Sequence, residues 1–390
     1  MVTESNNNKY YIMEWDGISS DFNVKYGRVE STASTARYPI GKWQTQYNSK
    51  VKKGYVDITH TVSVTVEEKT EKDEEVKLKK IEDQKVEKFL SLMKQYTDGL
   101  VAKTYTVQSK DVTQAQVDEA QKLIDDLQSI DGNNDPTGFN SVLLKLYMII
   151  PRYMSRVQHH LLPYIDIKST LQQEQDNLDA MSSQVKMDTK KKETKKDKKA
   201  VKEAKTLLDL MGIKMKEIKP PAEVDYLIKQ LTRNKIDGFF EVIKEKEDVM
   251  FDTWMKNQTN AQKRILIHGT KCTSVIPILE QGLKIRPTGN YQFSGKVYGD
   301  GNYFSETTVK SLGYTGYDAD KILLVYEVHT GNPFVYNGWY NGNSFPLTYK
   351  ELQKRGFDST FVAAGNGLLN TEIIAYNEEQ CRIKYIIHLK

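Results

Sequence analysis

Three side chains capable of chemistry stand at or near the ends of strands that the sequence predicts. His268 follows the apolar run RILI, Tyr303 lies in NYF, and Glu372 opens EIIAYN. A carboxylate at the start of an apolar strand is costly to bury unless it has partners or a function. Each residue alone also has a structural explanation, because a hydrogen-bonded core histidine or one more of the 23 tyrosines requires no site. The surrounding residues must therefore decide between a structural and a functional explanation of these three side chains.

The composition of the 390 residues limits the class of protein. Hydrophobic content of 38% with 28% charged residues fits a soluble chain of two or three domains. No apolar run approaches the ~20 residues that cross a bilayer, and the N-terminus lacks a signal-peptide layout, so we expect no membrane association. Cys272 and Cys381 are too few for a disulfide framework or a zinc site, which favours an intracellular, reducing setting. The net charge of +4 permits a polyanionic partner without requiring one.

Three segments differ in their hydrophobic pattern. Residues 8–60 combine aromatic and β-branched runs with Gly, Ser and Asp, which predicts a small β-rich domain. Residues 81–182 have the periodicity of amphipathic helices. The apolar face of the first of these helices consists of Val86, Phe89, Leu90 and Met93. From about residue 207 strands dominate, and no glycine-rich phosphate loop follows any of them.

Local signals refine the helical segment and its borders. Thr113 and Gln116 fit a capping box, and FNSVLLKLYMII predicts an apolar helix that stops at Pro151. The mixed-charge run at 61–80 predicts a solvated linker or an exposed helix. Residues 186–205 contain ten lysines against four acids, which favours a flexible basic tether at a domain boundary. The alternatives for this tract are contacts with nucleic-acid phosphates and lysines that accept a modification.

The C-terminal motifs H-G-T, GNYFSE, KSLGY and NTEIIAYNEEQ, in this order, resemble the ADP-ribosyltransferase domain of the poly(ADP-ribose) polymerase family. The flanking segments ILEQGLKIRP and ILLVYEVHTGNP match as well. Residues 81–182 resemble the helical regulatory domain of that family. Residues 8–60 resemble its DNA-binding module named for Trp-Gly-Arg (WGR), and here the tripeptide is Tyr26-Gly27-Arg28.

The resemblance implies a multidomain α+β architecture. A small β-rich WGR-like domain is expected at 1–78. An all-α helical bundle with a regulatory role is expected at 79–200, ending in the lysine-rich linker. A mixed α/β ADP-ribosyltransferase domain with two antiparallel sheets is expected at 201–390.

The resemblance also implies a reaction and a set of site residues. NAD⁺ is the expected substrate, the nicotinamide–ribose bond is the bond that breaks, and no metal is required. The catalytic residues carried over are Glu372, His268 and Tyr303. The expected NAD⁺-binding residues are His268, Gly269, Thr270, Tyr303, Ser311, Tyr314 and Lys284, and the expected acceptor-side residues are Lys310 and Val297.

The front domain is expected to bind DNA ends or nicks through Tyr26, Arg28, Lys53 and Tyr55. DNA breaks are expected to release inhibition by the bundle. The expected product is poly(ADP-ribose) on protein acceptors, including the enzyme itself. A monomer is expected, located in the nucleus of a eukaryote or in the cytoplasm or nucleoid if the source is bacterial or viral.

Two other functions remain open from the sequence. One is a mono-ADP-ribosyltransferase that modifies a protein or a nucleic-acid end. The other is a catalytically weak scaffold that binds DNA breaks, and retention of His268, Tyr303 and Glu372 argues against it.

Overall fold

The computed structural model describes residues 2–3, 7–28, 31–55, 57, 59, 78–196, 205–286, 297–337, 347–365 and 368–390. The chain divides into two compact units. Unit 1 comprises Met1–Lys72 and Leu100–Val185, and unit 2 comprises Asp73–Gly99 and Lys186–Lys390. The boundary after residue 99 lies inside one continuous helix, and the boundary after residue 185 lies inside another. The division into three domains stays a prediction.

Unit 1 begins with a four-stranded antiparallel sheet in the order β1-β2-β3-β4. Its elements are β1 (Val2–Thr3), β2 (Asn7–Glu14), β3 (Asp21–Arg28), β4 (Ser34–Pro39) and the helix α1 (Trp43–Lys52). Phe22 and Val24 alternate with exposed residues on β3 and are almost fully buried. The Phe22 ring contacts the Trp43 ring edge-on at 4.9 Å, so one sheet face packs against α1. These residues form the β-rich front that the sequence predicts.

Four long helices follow: α2 (Gln84–Thr104), α3 (Gln114–Ser129), α4 (Pro136–Ile149) and α5 (Ile167–Lys196). The capping box before α3 is confirmed. The Gln116 amide N–H donates to Thr113 Oγ1 at 3.2 Å, and the Thr113 amide N–H donates to Gln116 Oε1 at 3.0 Å. Helix α4 ends two residues before Pro151, because proline supplies no amide hydrogen to the helix.

The prediction of a flexible tether from residue 186 is wrong for the part that the structure describes, since α5 continues to Lys196. Met187 is buried in the core of unit 2. The Lys190 ammonium donates to the Leu210 carbonyl and to Glu280 Oε1, each at 2.9 Å. Tertiary contacts at these positions therefore stabilise helix in a lysine-rich sequence.

Arg152 lies in the interior of unit 1 and forms an ion pair with Glu174. Both side chains are buried, with relative exposures of 6% and 10%. The guanidinium carbon also lies 4.7 Å from the centre of the Tyr147 ring and 5.3 Å from that of Tyr105. Two aromatic faces and one carboxylate thus compensate a charge that would be costly to bury alone.

Unit 2 contains two further sheets and their covering helices. The strands are β5 (Lys214–Glu217), β6 (Ile236–Ile243), β7 (Lys263–Thr270), β8 (Asn302–Phe304), β9 (Lys321–His329), β10 (Pro333–Tyr336), β11 (Ser359–Val362), β12 (Glu372–Ala375) and β13 (Cys381–Leu389). The helices are α6 (Leu207–Met211), α7 (Asp225–Ile228), α8 (Glu245–Lys256), α9 (Cys272–Gln281), α10 (Thr308–Leu312) and α11 (Tyr349–Lys354).

The two sheets agree with the predicted α+β class. The five-stranded sheet has the order β5-β6-β13-β9-β7 and is antiparallel throughout. The four-stranded sheet has the order β10-β11-β12-β8, and its β10–β11 pair is parallel while the other pairs are antiparallel. The antiparallel description therefore needs correction at one edge pair.

The first half of α2 belongs to the hydrophobic core of unit 2. The four residues predicted to form its apolar face, Val86, Phe89, Leu90 and Met93, are buried there. The Phe89 ring lies 4.8 Å from the Phe240 ring of β6. Helical periodicity thus identified a face that packs on a sheet. Among the helices of the described ranges, none is long and apolar enough to cross a membrane.

Candidate active site

His268 lies near the end of β7, and its ring is tied to the strand that carries Tyr303. Its Nδ1 atom is 3.0 Å from the Tyr303 carbonyl oxygen. Because a carbonyl only accepts hydrogen bonds, Nδ1 carries a proton. Burial lowers the pKa of His268 below its ordinary value of 6.5. The imidazole is therefore a neutral group with one acceptor nitrogen left for a ligand hydroxyl.

Gly269 follows directly, and the structure shows what its missing side chain permits. A Cβ at this position would lie 1.7 Å from the Ser311 carbonyl oxygen, which is far inside any allowed contact. The Ser311 hydroxyl donates to the Ile267 carbonyl at 3.3 Å. The resemblance gives Gly269 a role in NAD⁺ binding, which stays a prediction. The structure shows in addition that it admits helix α10.

Tyr303, in the middle of β8, is held by both hydrogen bonds of its phenol. The hydroxyl accepts from the Tyr298 amide at 2.7 Å and donates to the Gly299 carbonyl at 2.9 Å. Burial, and to a smaller extent the nearby Glu372 carboxylate, raises the phenol pKa well above its ordinary value. The phenol is thus uncharged, and its two hydrogen bonds fix the turn before β8.

Glu372 opens β12, and its buried side chain forms an ion pair with Lys310 of α10. The carboxylate is 7% exposed and the lysine side chain 19% exposed. Two residues farther along β12, Ile374 pairs with Tyr303 of the neighbouring β8. The Lys310 ammonium also lies 6.0 Å from the centre of the Tyr314 ring. The buried carboxylate at the start of this apolar strand therefore has a cationic partner, and it lies next to the other predicted site residues.

The structure brings several predicted site residues together in unit 2. His268, Gly269 and Thr270 end one strand, and Ser311 packs against that strand through its backbone and hydroxyl. Tyr314 is partly exposed beside Lys310. The shared elements are β7, β8, β12 and α10.

Two other predicted residues have different surroundings. Lys284 forms an ion pair with Glu378 at 2.5 Å, and the Ile285 amide donates to the other carboxylate oxygen at 3.0 Å. Val297 packs against an apolar cluster that includes Tyr298 and Tyr376. The predicted NAD⁺ role of the lysine and the acceptor role of the valine stay predictions.

The predicted DNA-contact residues lie in unit 1, where an aromatic cluster is visible. The Tyr11 ring lies 5.7 Å from Tyr26 and 6.3 Å from Tyr55. The Lys50 ammonium lies 3.9 Å from the centre of the Tyr11 ring, and burial lowers its pKa. Arg28 follows Tyr26 by two residues on β3, so both side chains face the same side of the sheet.

Two residues were not identified from the sequence, Tyr11 in the aromatic cluster of unit 1 and Ser305 beside the predicted active-site residues. Tyr11 is the centre of the aromatic cluster, and the signal available was its place two residues after Lys9, on the same face of a predicted strand. Ser305 follows NYF and joins several strands by hydrogen bonds, and a serine in this position carried no signal in one sequence. Among the described residues, no group of three histidine, cysteine or carboxylate side chains could hold a metal ion.

Comparisons with known proteins identify the family of the chain. Residues 224–390 match the family described as poly(ADP-ribose) polymerase (PARP) catalytic domain. A PARP-like protein named 100L from Invertebrate iridescent virus 6 is 55% identical over 169 residues, or 43% of this chain and 93% of that protein. An uncharacterized protein 101L from the same virus is 43% identical over 186 residues, or 48% of this chain and 76% of that protein. Poly(ADP-ribose) polymerase 2 of Caenorhabditis elegans is 30% identical over 156 residues, covering 33% of this chain and 27% of that protein.

The chain therefore belongs to the poly(ADP-ribose) polymerase family. Its C-terminal part is an ADP-ribosyltransferase catalytic domain of the type that uses NAD⁺ as substrate.

Proposed function

We propose that this protein is a DNA-break-stimulated ADP-ribosyltransferase. It transfers ADP-ribose from NAD⁺ to proteins, itself included, extends the product to poly(ADP-ribose) and releases nicotinamide. The observation that carries the proposal is the buried Glu372 carboxylate, which forms an ion pair with Lys310 and lies on the strand next to that of Tyr303, to which His268 is hydrogen-bonded.

Cleavage of the nicotinamide–ribose bond builds positive charge at the anomeric carbon, as in glycoside hydrolysis. A carboxylate near that carbon stabilises the charge, and it can also orient or deprotonate the incoming hydroxyl. Glu372 has the burial and the strand position for both tasks. Lys310 holds the carboxylate in the absence of NAD⁺. In this proposal it also lies on the acceptor side of the site.

The surrounding residues suit the grip on NAD⁺. Gly269 offers backbone polar groups to the carboxamide, and Ser311 adds its hydroxyl from α10. The Tyr314 ring, 41% exposed, can stack on the pyridinium opposite Tyr303. His268 Nε2 accepts a hydrogen bond from the adenosine-side ribose. Each of these contacts orients the substrate and leaves the bond-breaking step to Glu372.

DNA recognition is assigned to the front sheet. Tyr26 and Tyr55 present aromatic faces near Lys50, and Arg28 and Lys53 add positive charge. This combination suits phosphate contacts together with stacking on an exposed base at an end or nick, without sequence preference.

Regulation is assigned to helix α2, because residues near its middle contact the segment that follows the predicted NAD⁺-binding motif. The Thr97 hydroxyl donates to the Thr273 carbonyl at 3.0 Å, three residues after Thr270. The Tyr96 hydroxyl donates to Asp320 Oδ2 at 3.0 Å. In this proposal, DNA binding weakens the docking of α2 and shifts the equilibrium toward an active state.

Incubation of the full chain with labelled NAD⁺, with and without nicked DNA, tests the proposal. A ladder of modified protein that intensifies with DNA is the expected result. One sharp band would instead establish a mono-ADP-ribosyltransferase, and equal labelling without DNA would contradict the stimulation. Absence of label and of released nicotinamide would leave a DNA-break scaffold as the remaining function.

A further inference from the structure

Ser305 stands where the strands of all three predicted catalytic residues meet. Its amide donates to the Ile267 carbonyl and its carbonyl accepts from the Ile267 amide, each at 2.9 Å, directly before His268. It follows Tyr303 by two residues. It also lies one residue beyond the last pair of the β8–β12 ladder, Phe304 with Ile373, where β12 begins with Glu372.

The Ser305 side chain completes this junction. Its hydroxyl, in a residue only 2% exposed, donates to the Thr371 carbonyl at 3.2 Å. The peptide group that contains this carbonyl continues directly into Glu372. The serine oxygen also accepts from the Thr307 amide at 3.0 Å. One hydroxyl therefore ties the start of β12 to the turn that leads into α10.

Thr307 extends the connection on the opposite side. Its hydroxyl lies 3.0 Å from Ser305 Oγ and donates to Asn370 Oδ1 at 3.2 Å. Helix α10 starts at the next residue and carries Lys310. The carboxylate and the ammonium of the ion pair are therefore supported from one shared hydrogen-bonded cluster, Ser305–Thr307–Asn370–Thr371.

We propose that Ser305, assisted by Thr307, is a positioning residue that sets the placement of Glu372 relative to Lys310. The inference rests on the proposed function. Neither hydroxyl needs to touch NAD⁺. They fix the peptide groups from which the two charged side chains extend, and a shift of an ångström at such a site lowers the rate by up to about a hundredfold.

Steady-state nicotinamide release by the full chain with nicked DNA tests the role of Ser305. Ser305→Ala is expected to lower kcat by about tenfold or more while the KM for NAD⁺ changes by less than about threefold. The expected effect is on kcat more than on KM, because the residues proposed to bind NAD⁺, Gly269 and Ser311, are intact while Glu372 is displaced. A fall in affinity alone, with kcat unchanged, would contradict the assignment.

A matched control separates positioning from stability. Ser359 is fully buried, and its hydroxyl donates to the Thr330 carbonyl at 2.6 Å, away from the cluster. Ser359→Ala removes a buried serine–carbonyl bond of the same kind and should leave kcat near the wild-type value. If both alanine variants lower kcat equally, the effect of Ser305 is structural and the inference is wrong.

Thr307 supplies the rescue experiment. Thr307→Val keeps the shape but removes the hydroxyl, and a fall in kcat is expected. Thr307→Ser restores the hydroxyl and should recover most of the rate. A wild-type protein that releases no nicotinamide would overturn the proposed function and this inference with it. Wild-type turnover with unchanged kcat in Ser305→Ala and Thr307→Val would overturn the inference alone.

Discussion

The carboxylate of Glu372 combines three properties that ordinary core residues lack. It is buried, it opens an apolar strand, and its partner is a lysine on a separate short helix. A buried pair of this kind is weak evidence for stability, because desolvation of the two charges offsets much of their attraction. Its presence beside Tyr303 and His268 is therefore better explained by catalysis than by folding.

Glu372→Gln tests that explanation while keeping the size of the side chain. Nicotinamide release should fall by about a hundredfold to a thousandfold, because the amide cannot stabilise the developing charge. Binding of NAD⁺, measured by calorimetry, should remain within several-fold of the wild-type value. Glu245→Gln, at an exposed carboxylate, is the control. Retention of chain growth in Glu372→Gln would contradict the assignment.

The neutral state of His268 gives a pH dependence of stability. Burial lowers the pKa of the folded-state imidazole below 6.5, so the folded protein resists protonation more than the unfolded chain does. The contribution of neutral His268 to stability is complete above about pH 6.5 and is lost as the pH falls through the lowered pKa. Denaturant midpoints of wild type and His268→Gln, measured from about pH 8 to about pH 5, should converge at low pH. His159→Gln, at an exposed histidine, is the control.

Residue types and order predicted His268, Tyr303, Ser311 and Glu372 as site residues, and the structure brings their elements together. The sequence could not show that Gly269 accommodates the Ser311 backbone, because that contact joins residues 42 apart across two elements. It could not identify Ser305 either. A serine hydroxyl acts through the carbonyl it meets, and that partner is set by tertiary structure.

Elements whose signals are local were predicted closely. The capping box before α3 depends on two residues three apart, and the apolar face of α2 depends on one helical period. The lysine tract was misjudged because composition favours a solvated tether, while Met187 and Lys190 make tertiary contacts that continue α5. The parallel β10–β11 pair likewise depends on a connection that no local pattern specifies.

The buried ion pair of Arg152 and Glu174 offers a stability test in unit 1. Glu174→Gln leaves a buried guanidinium without its counter-charge, which should cost about 3–5 kcal/mol of unfolding free energy. Lys214 and Glu245 form a pair on the surface, with both side chains 73% exposed, so Glu245→Gln should leave the free energy of unfolding almost unchanged. Denaturant unfolding of the two variants compares the pairs. Equal costs would show that the interior pair is screened like the surface pair.

At the scale of the whole molecule, the proposed DNA response is assigned to helix α2. Its docking includes a hydrogen bond from a neutral phenol to the carboxylate of Asp320, which also meets His388 Nε2 at 2.6 Å. A hydrogen bond to a charged group contributes about 1.5–3 kcal/mol. Loss of this one bond should therefore shift the proposed equilibrium by about tenfold or more.

Tyr96→Phe removes the phenol hydroxyl and keeps the ring. Nicotinamide release without DNA should rise by about tenfold, while the DNA-stimulated rate changes little. Tyr226→Phe is a matched control, because the Tyr226 hydroxyl donates to the Ile265 carbonyl without contacting α2. An unchanged basal rate in Tyr96→Phe, or an equal rise in both variants, would contradict regulation through this contact.

The class of the whole protein followed from ordered motifs, and the family match to residues 224–390 agrees with it. The division of the residues into two compact units could not be predicted from these motifs. Composition placed the catalytic part after the lysine tract, whereas packing assigns Asp73–Gly99 to the same unit. Burial of an apolar helix face depends on which sheet it meets, and a single sequence does not contain that information.

Because Val86, Leu90 and Met93 fill part of the catalytic core, the transferase cannot be excised at residue 201 or 224 without opening that core to water. A recombinant fragment that starts there would expose apolar surface and would be prone to aggregate. Co-expression of a peptide spanning residues 78–99 would supply the missing part of the hydrophobic core as a separate chain. The first half of α2 therefore belongs to the catalytic core as well as to the proposed regulator.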